Sequence, residues 1–125
     1  MTANHNKDAA ISFLKMASGG DVREAYSKFV GPNFKHHDPY FEGSAETLMT
    51  AMEENARENP AKTLDVKLAV AEGDLVAVHS RVRQNPDQLG AAVVHLFRFE
   101  DDRIVELWDL GQEVPGESPN QYGMF

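Results

Sequence analysis

The chain has 125 residues, a net charge of -8, no cysteine and five histidines. Its length fits one domain over residues 1–125 with its own core. The missing cysteines exclude disulfides and thiol chemistry. The acidic excess argues against nucleic acids and anionic membranes as partners. No apolar run approaches a membrane span and no basic-then-apolar leader is visible, so a cytoplasmic location is expected.

The first half of the chain predicts helices. Apolar residues recur at helical spacing over residues 5–17, 22–29 and 45–56. Asp21 and Glu24 have the spacing of a capping box, with Asp in place of the usual Ser or Thr. Three amphipathic helices are therefore expected.

In the second half, the apolar period changes to two, which is typical of strands. Strands are expected over residues 64–70, 75–83, 91–99 and 103–110, and short turns between them indicate an antiparallel meander. A short strand around residues 34–37 could join the sheet. Three N-terminal helices packed on a curved antiparallel sheet define an α+β domain.

The third and fourth of these strands are apolar on both of their faces, as the third shows most clearly. One face carries Val93, Phe97 and Phe99, and the other carries Val94 and Leu96. Helices can cover only one face, so a homodimer through the sheet is expected. The alternative is that the C-terminal tail, residues 111–125, covers the second face.

The register of the last hairpin decides whether His95 and Asp109 share a face. A three-residue loop at residues 100–102 places them on one face, with Leu107 opposite His95 and Asp109 on the diagonal. A two-residue loop at 101–102 would separate them, and it needs positive φ angles that Asp-Asp supplies poorly. The three-residue loop is therefore favoured.

The preceding hairpin has a long loop. If that loop spans residues 84–90 symmetrically, His79 lies directly opposite His95. The two registers together place His79, His95 and Asp109 on one patch of the sheet. A single histidine in a strand is more often a core residue than a functional one. The hypothesis of a functional site therefore depends on the closeness of the three side chains.

Three segments of the chain resemble the SnoaL-like polyketide cyclases of the nuclear transport factor 2-like superfamily. Residues 34–39, followed by Glu42 and Gly43, resemble the family's Tyr-x-Gln-His-Asn-Pro…Gly segment. Residues 94–109 are similar to its closing hairpin. Residues 115–125 resemble the ending of a bacterial subfamily described only as predicted aldol-condensation enzymes.

This resemblance implies a cone-shaped barrel with a pocket between the helices and the sheet. It also implies that an Asp of the last strand is the acid/base and that a His one strand earlier assists it, positions that Asp109 and His95 match. Asp38 departs from the pattern because relatives carry Asn there. His95 stands where many relatives carry Asp. The fold hosts several activities, so it does not define the function.

The chemical hypothesis is aldol-type cyclisation or isomerisation without a cofactor. Asp109 has an apolar sequence context, and desolvation would raise its pKa toward that of a useful base. His95 would orient Asp109 or polarise a carbonyl of a small hydrophobic or carbonyl-containing ligand, with His79 in support. Contacts to the ligand are expected from His37, Tyr40, Phe34, Met52, Phe97 and Trp108, although core packing is the commoner role for such apolar residues.

Three alternatives remain open. The domain could be a non-catalytic pocket that binds a small molecule, or a structural dimer module. The third is a metal site built from His37, His79, His95 and Asp109, which are ligand types for zinc or iron. No HExxH-like spacing supports the metal reading, and no metal or other cofactor is expected.

Overall fold

The structure is a computed structural model that describes residues 3–125, and the predicted helices and strands form within a few residues of their expected ends. None of the helices in this range is long and apolar enough to cross a membrane. The elements in chain order are α1 (Ala3–Ser18), α2 (Val22–Phe29), β1 (Val30–His36), α3 (Ala45–Glu58), β2 (Thr63–Glu72), β3 (Leu75–Arg83), β4 (Ala91–Glu100) and β5 (Arg103–Glu113).

The five strands form one sheet in the order β1-β5-β4-β3-β2. Strands β2 to β5 are antiparallel as predicted, but β1 pairs with β5 in parallel, so the sheet is mixed. Parallel pairing needs a long crossover, which the chain between β1 and β5 provides. Strands β1 and β2 are the two edges, so the expected cone is an open sheet rather than a closed barrel.

The helices cover one face of the sheet, called the inner face below. Phe13 of α1 and Phe97 of β4 are both fully buried, and their rings meet edge to face at 6.1 Å. Phe99 and Leu107 extend this core along the same face. The core therefore lies between α1, α2 and the middle strands, as the alternation in β4 predicted.

The helix starts differ from the capping-box prediction. Asp21 precedes α2, but its side chain makes no capping hydrogen bond. Ser44 caps α3 instead, because its Oγ accepts a hydrogen bond from the Thr47 amide at 3.3 Å. The predicted box at Asp21 and Glu24 is therefore wrong, whereas the helix that it introduced is present.

The turn between β4 and β5 has two residues, not the three that were expected. Glu100 pairs with Arg103, and the turn residues Asp101 and Asp102 have φ angles of 49° and 65°. Asp tolerates this left-handed region better than most residues, which explains why the shorter turn is possible. The expected pairing of His95 with Leu107 is therefore wrong.

A β-bulge in β5 returns Asp109 to the face of the sheet that carries His95. Phe99 pairs with Ile104 and Arg98 with Glu106, so Val105 is an extra residue in β5. Beyond the bulge, His95 stands directly opposite Asp109, and both residues face the helices. The two residues share a face as predicted, but through a two-residue turn and a bulge rather than through a three-residue turn.

The register between β3 and β4 is one residue away from the prediction. Val78 pairs with His95, and His79 pairs with Val94. Val82 pairs with Ala91, so the connection is asymmetric about the expected loop. Because side chains alternate along a strand, His79 lies on the outer face, away from the helices.

The outer face is apolar and only partly covered. Leu68, Val70 and Leu110 are 58%, 61% and 58% exposed. At one end of this face the ring of Phe125 lies 5.7 Å from that of His79 and stacks against it. The C-terminal segment thus contacts the outer face, while these three apolar side chains stay accessible.

Candidate functional site

A cavity of about 140 Å³ lies on the inner face, beside His95. It is formed by the end of α1, by α3, by the turn before β2 and by strands β2 to β4. Its lining residues are Leu14, Ala17, Ser18, Met52, Lys62, Leu64, Val82, Val93 and His95. The walls are mostly apolar, and Lys62 and His95 supply the ionisable groups.

Asp109 lies across the strand pair from His95 and is not one of the residues that line this cavity. Burial, a hydrogen bond with Asp38 and the negative charge of Asp38 together raise the pKa of Asp109 to about 6. The carboxyl groups of Asp38 and Asp109 are therefore neighbours. When Asp109 holds its proton, it can donate that proton in a hydrogen bond to Asp38.

Asp38 is positioned by His36, which ends β1 and is buried. The His36 Nδ1 accepts a hydrogen bond from the Asp38 amide at 3.1 Å. The Nε2 therefore carries the proton and donates to the Glu42 carbonyl at 2.7 Å. Both ring nitrogens are occupied by backbone groups, so His36 holds the 37–42 loop.

The contact of Asp38 with Asp109 and the role of His36 in holding Asp38 were not predicted from the sequence, which marked Asp38 only as a departure from the family segment. His36 and Asp38 differ from the Gln and the Asn of the family segment that residues 34–39 resemble. These two differences were the only indication in the sequence that His36 and Asp38 could belong to the site. Whether Asp38 reaches Asp109 depends on the conformation of the loop that follows β1.

His95 is a neutral imidazole in this setting. Burial and, to a smaller extent, the positive charge of Lys62 lower its pKa to about 4. Its Nδ1 is shielded from solvent and has no hydrogen-bond partner within residues 3–125. An unsatisfied buried nitrogen is costly, so a ligand or a water that pairs with it would be favoured.

Lys62 was not singled out by the sequence. It stands before β2, and its Nζ donates a hydrogen bond to the Asn55 Oδ1 at 2.7 Å. Burial lowers its pKa. No carboxylate in the described part of the chain comes within salt-bridge distance of its Nζ.

The predicted apolar contacts divide between the cavity and the core. Met52 lines the cavity, and its Sδ accepts a hydrogen bond from the Tyr26 hydroxyl at 3.4 Å. Phe97 is completely buried and packs 6.3 Å from the His95 ring, and Phe34 is a core residue beside Tyr26. Phe97 and Phe34 thus shape the site from behind rather than line the cavity.

The remaining predicted contacts lie elsewhere. Trp108 precedes Asp109 in β5 and therefore points to the outer face. There it stacks on His37 with ring centroids 4.8 Å apart, and the His37 Nε2 is hydrogen-bonded to Glu106 at 2.6 Å. Tyr40 is 86% exposed in the loop. The structure does not bring His37, Tyr40 or Trp108 to the cavity.

The four residues considered as metal ligands are divided between the two faces. His79 and His37 lie on the outer side, whereas His95 and Asp109 face the helices. Across residues 3–125, no three His, Asp or Glu side chains converge in a way that could hold a metal ion.

Three solved structures with this fold illustrate the similarity. A SnoaL-like protein of unknown function from Burkholderia thailandensis has 17% identity and a TM-score of 0.74, over 90% of this chain and 98% of that one. AclR from Streptomyces galilaeus, a predicted hydroxylase, has 24% identity and a TM-score of 0.70, over 90% and 81%. A predicted polyketide cyclase from Sinorhizobium meliloti has 15% identity and a TM-score of 0.65, over 80% and 92%.

At these identities, the structural matches show a shared fold and leave the activity open. The search of curated proteins gave no match. The family is identified by sequence, because the model of the SnoaL-like domain matches residues 10–107, from α1 to the middle of β5. The chain therefore belongs to the SnoaL-like domain family.

Proposed function

We propose that the inner-face site binds a small carbonyl compound and that Asp109 moves a proton at the carbon next to the carbonyl. The observation that carries this proposal is the pKa of Asp109, which burial and Asp38 raise to about 6. A base whose pKa lies near the working pH combines a useful ionised fraction with a strong affinity for the proton. An exposed carboxylate would be a much weaker base.

In the proposed step, the Asp109 carboxylate takes a proton from the α-carbon. The carbon–hydrogen bond breaks, and its electron pair forms the enolate of the substrate. Return of the proton to another carbon gives an isomerisation. Attack of the enolate carbon on a second carbonyl gives an aldol-type ring closure, in which the new alkoxide oxygen takes the proton. Atoms and electrons balance in both cases, and no co-reactant is needed.

His95 acts in this proposal as a neutral hydrogen-bonding group. Its pKa of about 4 means that it does not compete with Asp109 for the proton at neutral pH. With one imidazole nitrogen protonated, it can donate to a carbonyl oxygen or accept from a hydroxyl. Its place opposite Asp109 supports this role.

Asp38 is the proposed positioning residue. Its carboxyl raises the pKa of Asp109 through a hydrogen bond and through like charge. Replacement by Asn, the residue expected in relatives, removes the charge and keeps the shape. The variant should therefore have an Asp109 of lower pKa while the 37–42 loop keeps its hydrogen bonds to His36.

The experiment follows the uptake of deuterium at the α-carbon of short ketones and oxoacids in D₂O by proton NMR. Pyruvate, levulinate and their amides form the panel. The wild-type rate should rise with pH through about 6 and then level off, because the carboxylate is the active form. Asp109→Asn should reduce the exchange at least a hundredfold, and Asp38→Asn should shift the midpoint to lower pH.

The exposed loop residue Asp87 supplies the matched control, and Asp87→Asn should exchange at the wild-type rate. Unchanged exchange in Asp109→Asn would refute the role of the base. Binding of panel members without any catalysed exchange would also refute it, in favour of a non-catalytic pocket.

A further inference from the structure

We propose that the cavity beside His95 is an anion site, in which Lys62 receives the carboxylate or another acidic oxygen of a short-chain ligand. This inference deepens the function proposed above, because it names the substrate class of the same site. It rests on the surroundings of Lys62, on the unpartnered nitrogen of His95 and on the size of the cavity.

The first observation is that no carboxylate among residues 3–125 lies within salt-bridge distance of the Lys62 ammonium group. It is half-buried in an apolar wall, where an uncompensated charge is unfavourable. Within residues 3–125, the Asn55 amide oxygen is its one hydrogen-bond acceptor, and this acceptor is neutral. Two of the three ammonium protons are left for other acceptors.

The exposed Lys15 and Lys28 also have no carboxylate within salt-bridge distance among residues 3–125, and Lys62 differs from them because it is half-buried in the wall of the cavity. Lys67 is 2.7 Å from the Asp65 carboxylate, and Lys35 is 3.8 Å from Glu106. Acidic residues outnumber basic ones by 20 to 12 in this chain, so carboxylates are plentiful. The one lysine in the cavity wall is nevertheless held by an amide, which leaves its charge available to a ligand.

The second observation is the closeness of Lys62 to His95. The charge of Lys62 lowers the pKa of the imidazole, so the two groups act on one region of the cavity. The His95 Nδ1 has no partner in the described part of the chain. His95 also lines the cavity, so a ligand held by Lys62 would lie near its ring, while Asp109 stands opposite His95 in the neighbouring strand.

The third observation is the volume. At about 30 Å³ per water molecule, 140 Å³ corresponds to roughly five waters. Pockets for drug-sized ligands measure roughly 300–1,000 Å³. The cavity therefore suits a short oxoacid or the acidic end of a longer molecule.

Binding of pyruvate and of its neutral isostere pyruvamide, measured by isothermal titration calorimetry at pH 7.5, tests the inference. Wild-type protein should bind pyruvate at least tenfold more tightly than pyruvamide. Lys62→Met should abolish this preference by weakening pyruvate at least tenfold and leaving pyruvamide within twofold. Lys62→Arg keeps the charge and should keep part of the preference.

Lys15→Met is the matched control, because Lys15 is an exposed lysine of α1. It should bind both ligands like the wild type. Equal affinity of the wild type for the two ligands, or a full preference in a folded Lys62→Met, would overturn the proposal. If thermal unfolding shows that Lys62→Met is not folded, Lys62→Gln is used with the same expected result.

The outcome is separable from that of the acid/base proposal. A charge preference that depends on Lys62 without catalysed deuterium exchange would support the anion site and refute the role of Asp109. Exchange that depends on Asp109 and is equally fast for pyruvate and pyruvamide, with equal affinity for both, would refute the anion site alone.

Discussion

His95 and Asp109 stand directly opposite each other in neighbouring strands, on the face that the helices cover. Burial acts on them in opposite directions, since it lowers the pKa of His95 to about 4 and raises that of Asp109 to about 6. Each group is thus driven toward its neutral form. At pH 7 the pair combines a neutral imidazole with a carboxylate that holds a proton more tightly than an exposed one.

Asp109→Asn should stabilise the protein at pH 7. Because the pKa of Asp109 is raised on folding from 3.8 to about 6, its favourable contribution is complete below pH 3.8 and is lost as the pH rises through 6. The full shift corresponds to about 3 kcal/mol, and solvent screening at this half-buried group reduces the expected gain to about 1–2 kcal/mol. Urea unfolding at pH 7 and pH 4 measures it. A gain of the same size at pH 4 would contradict the explanation.

His95 should give the opposite pH dependence. Its pKa is lowered on folding from 6.5 to about 4, so its contribution to stability is complete above pH 6.5 and is lost as the pH falls toward 4. In Asp109→Asn, the loss of stability caused by His95 is no longer offset by the opposite contribution of Asp109. The free energy of unfolding should therefore fall more steeply between pH 6.5 and 4 than in the wild type. If the stability of Asp109→Asn did not fall between pH 6.5 and 4, the pKa of His95 would not be lowered on folding.

Substitutions in the two-residue turn at Asp101 and Asp102 should increase the free energy of unfolding. Both residues have positive φ angles, a conformation that Asn-Gly adopts with less strain. The double change Asp101→Asn and Asp102→Gly should raise the free energy of unfolding by about 1 kcal/mol, or Tm by about 3–5 °C. Gly73→Ala, at the β2–β3 turn with φ 59°, should lower it by a similar amount. No gain in the double variant would contradict this account.

Ser80 should be replaceable by Ala without loss. It is completely buried on the inner face, and its Oγ has no hydrogen-bond partner among residues 3–125. Removal of an unpaired hydroxyl should raise stability by about 0.5–1 kcal/mol. Val78→Ala, two residues earlier on the same face, should instead cost about 2 kcal/mol through lost packing. A loss above 1 kcal/mol in Ser80→Ala would reveal a partner for the hydroxyl.

The homodimer expected from the sequence stays a prediction, and the outer face is where it should form. Val70 is 61% exposed there, beside further apolar side chains of β2 and β5. Sedimentation velocity should show a dimer for the wild type at micromolar concentration and a monomer for Val70→Lys. Leu89→Lys, in the loop after β3, is the control that should remain dimeric. A monomeric wild type would refute the prediction.

Periodicity was sufficient to predict the three helices, the four long strands and the face of β4 that enters the core. These features follow from the spacing of apolar residues, which is local information. The parallel pairing of β1 depends on a partner far along the chain. The one-residue error that moved His79 to the outer face arose in a long loop, where no residue pattern fixes the symmetry.

The candidate site was predictable only where it lies on regular strands. Counting placed Asp109 and His95 on one face, although with the wrong turn length and pairing, and the resemblance supported both residues. Lys62 and Asp38 could not be placed, because the turn before β2 and the loop after β1 determine where their side chains end. His36 was not singled out by the sequence, although its two ring nitrogens hold that loop.

The bulge at Val105 limits how this hairpin can change in length during evolution. Removing Val105 alone, or adding one residue to the turn alone, would turn Asp109 toward solvent and Trp108 toward the helices. Both changes made together would cancel. Insertions and deletions should therefore be found here in compensating pairs, so that a relative with a three-residue turn lacks the extra strand residue.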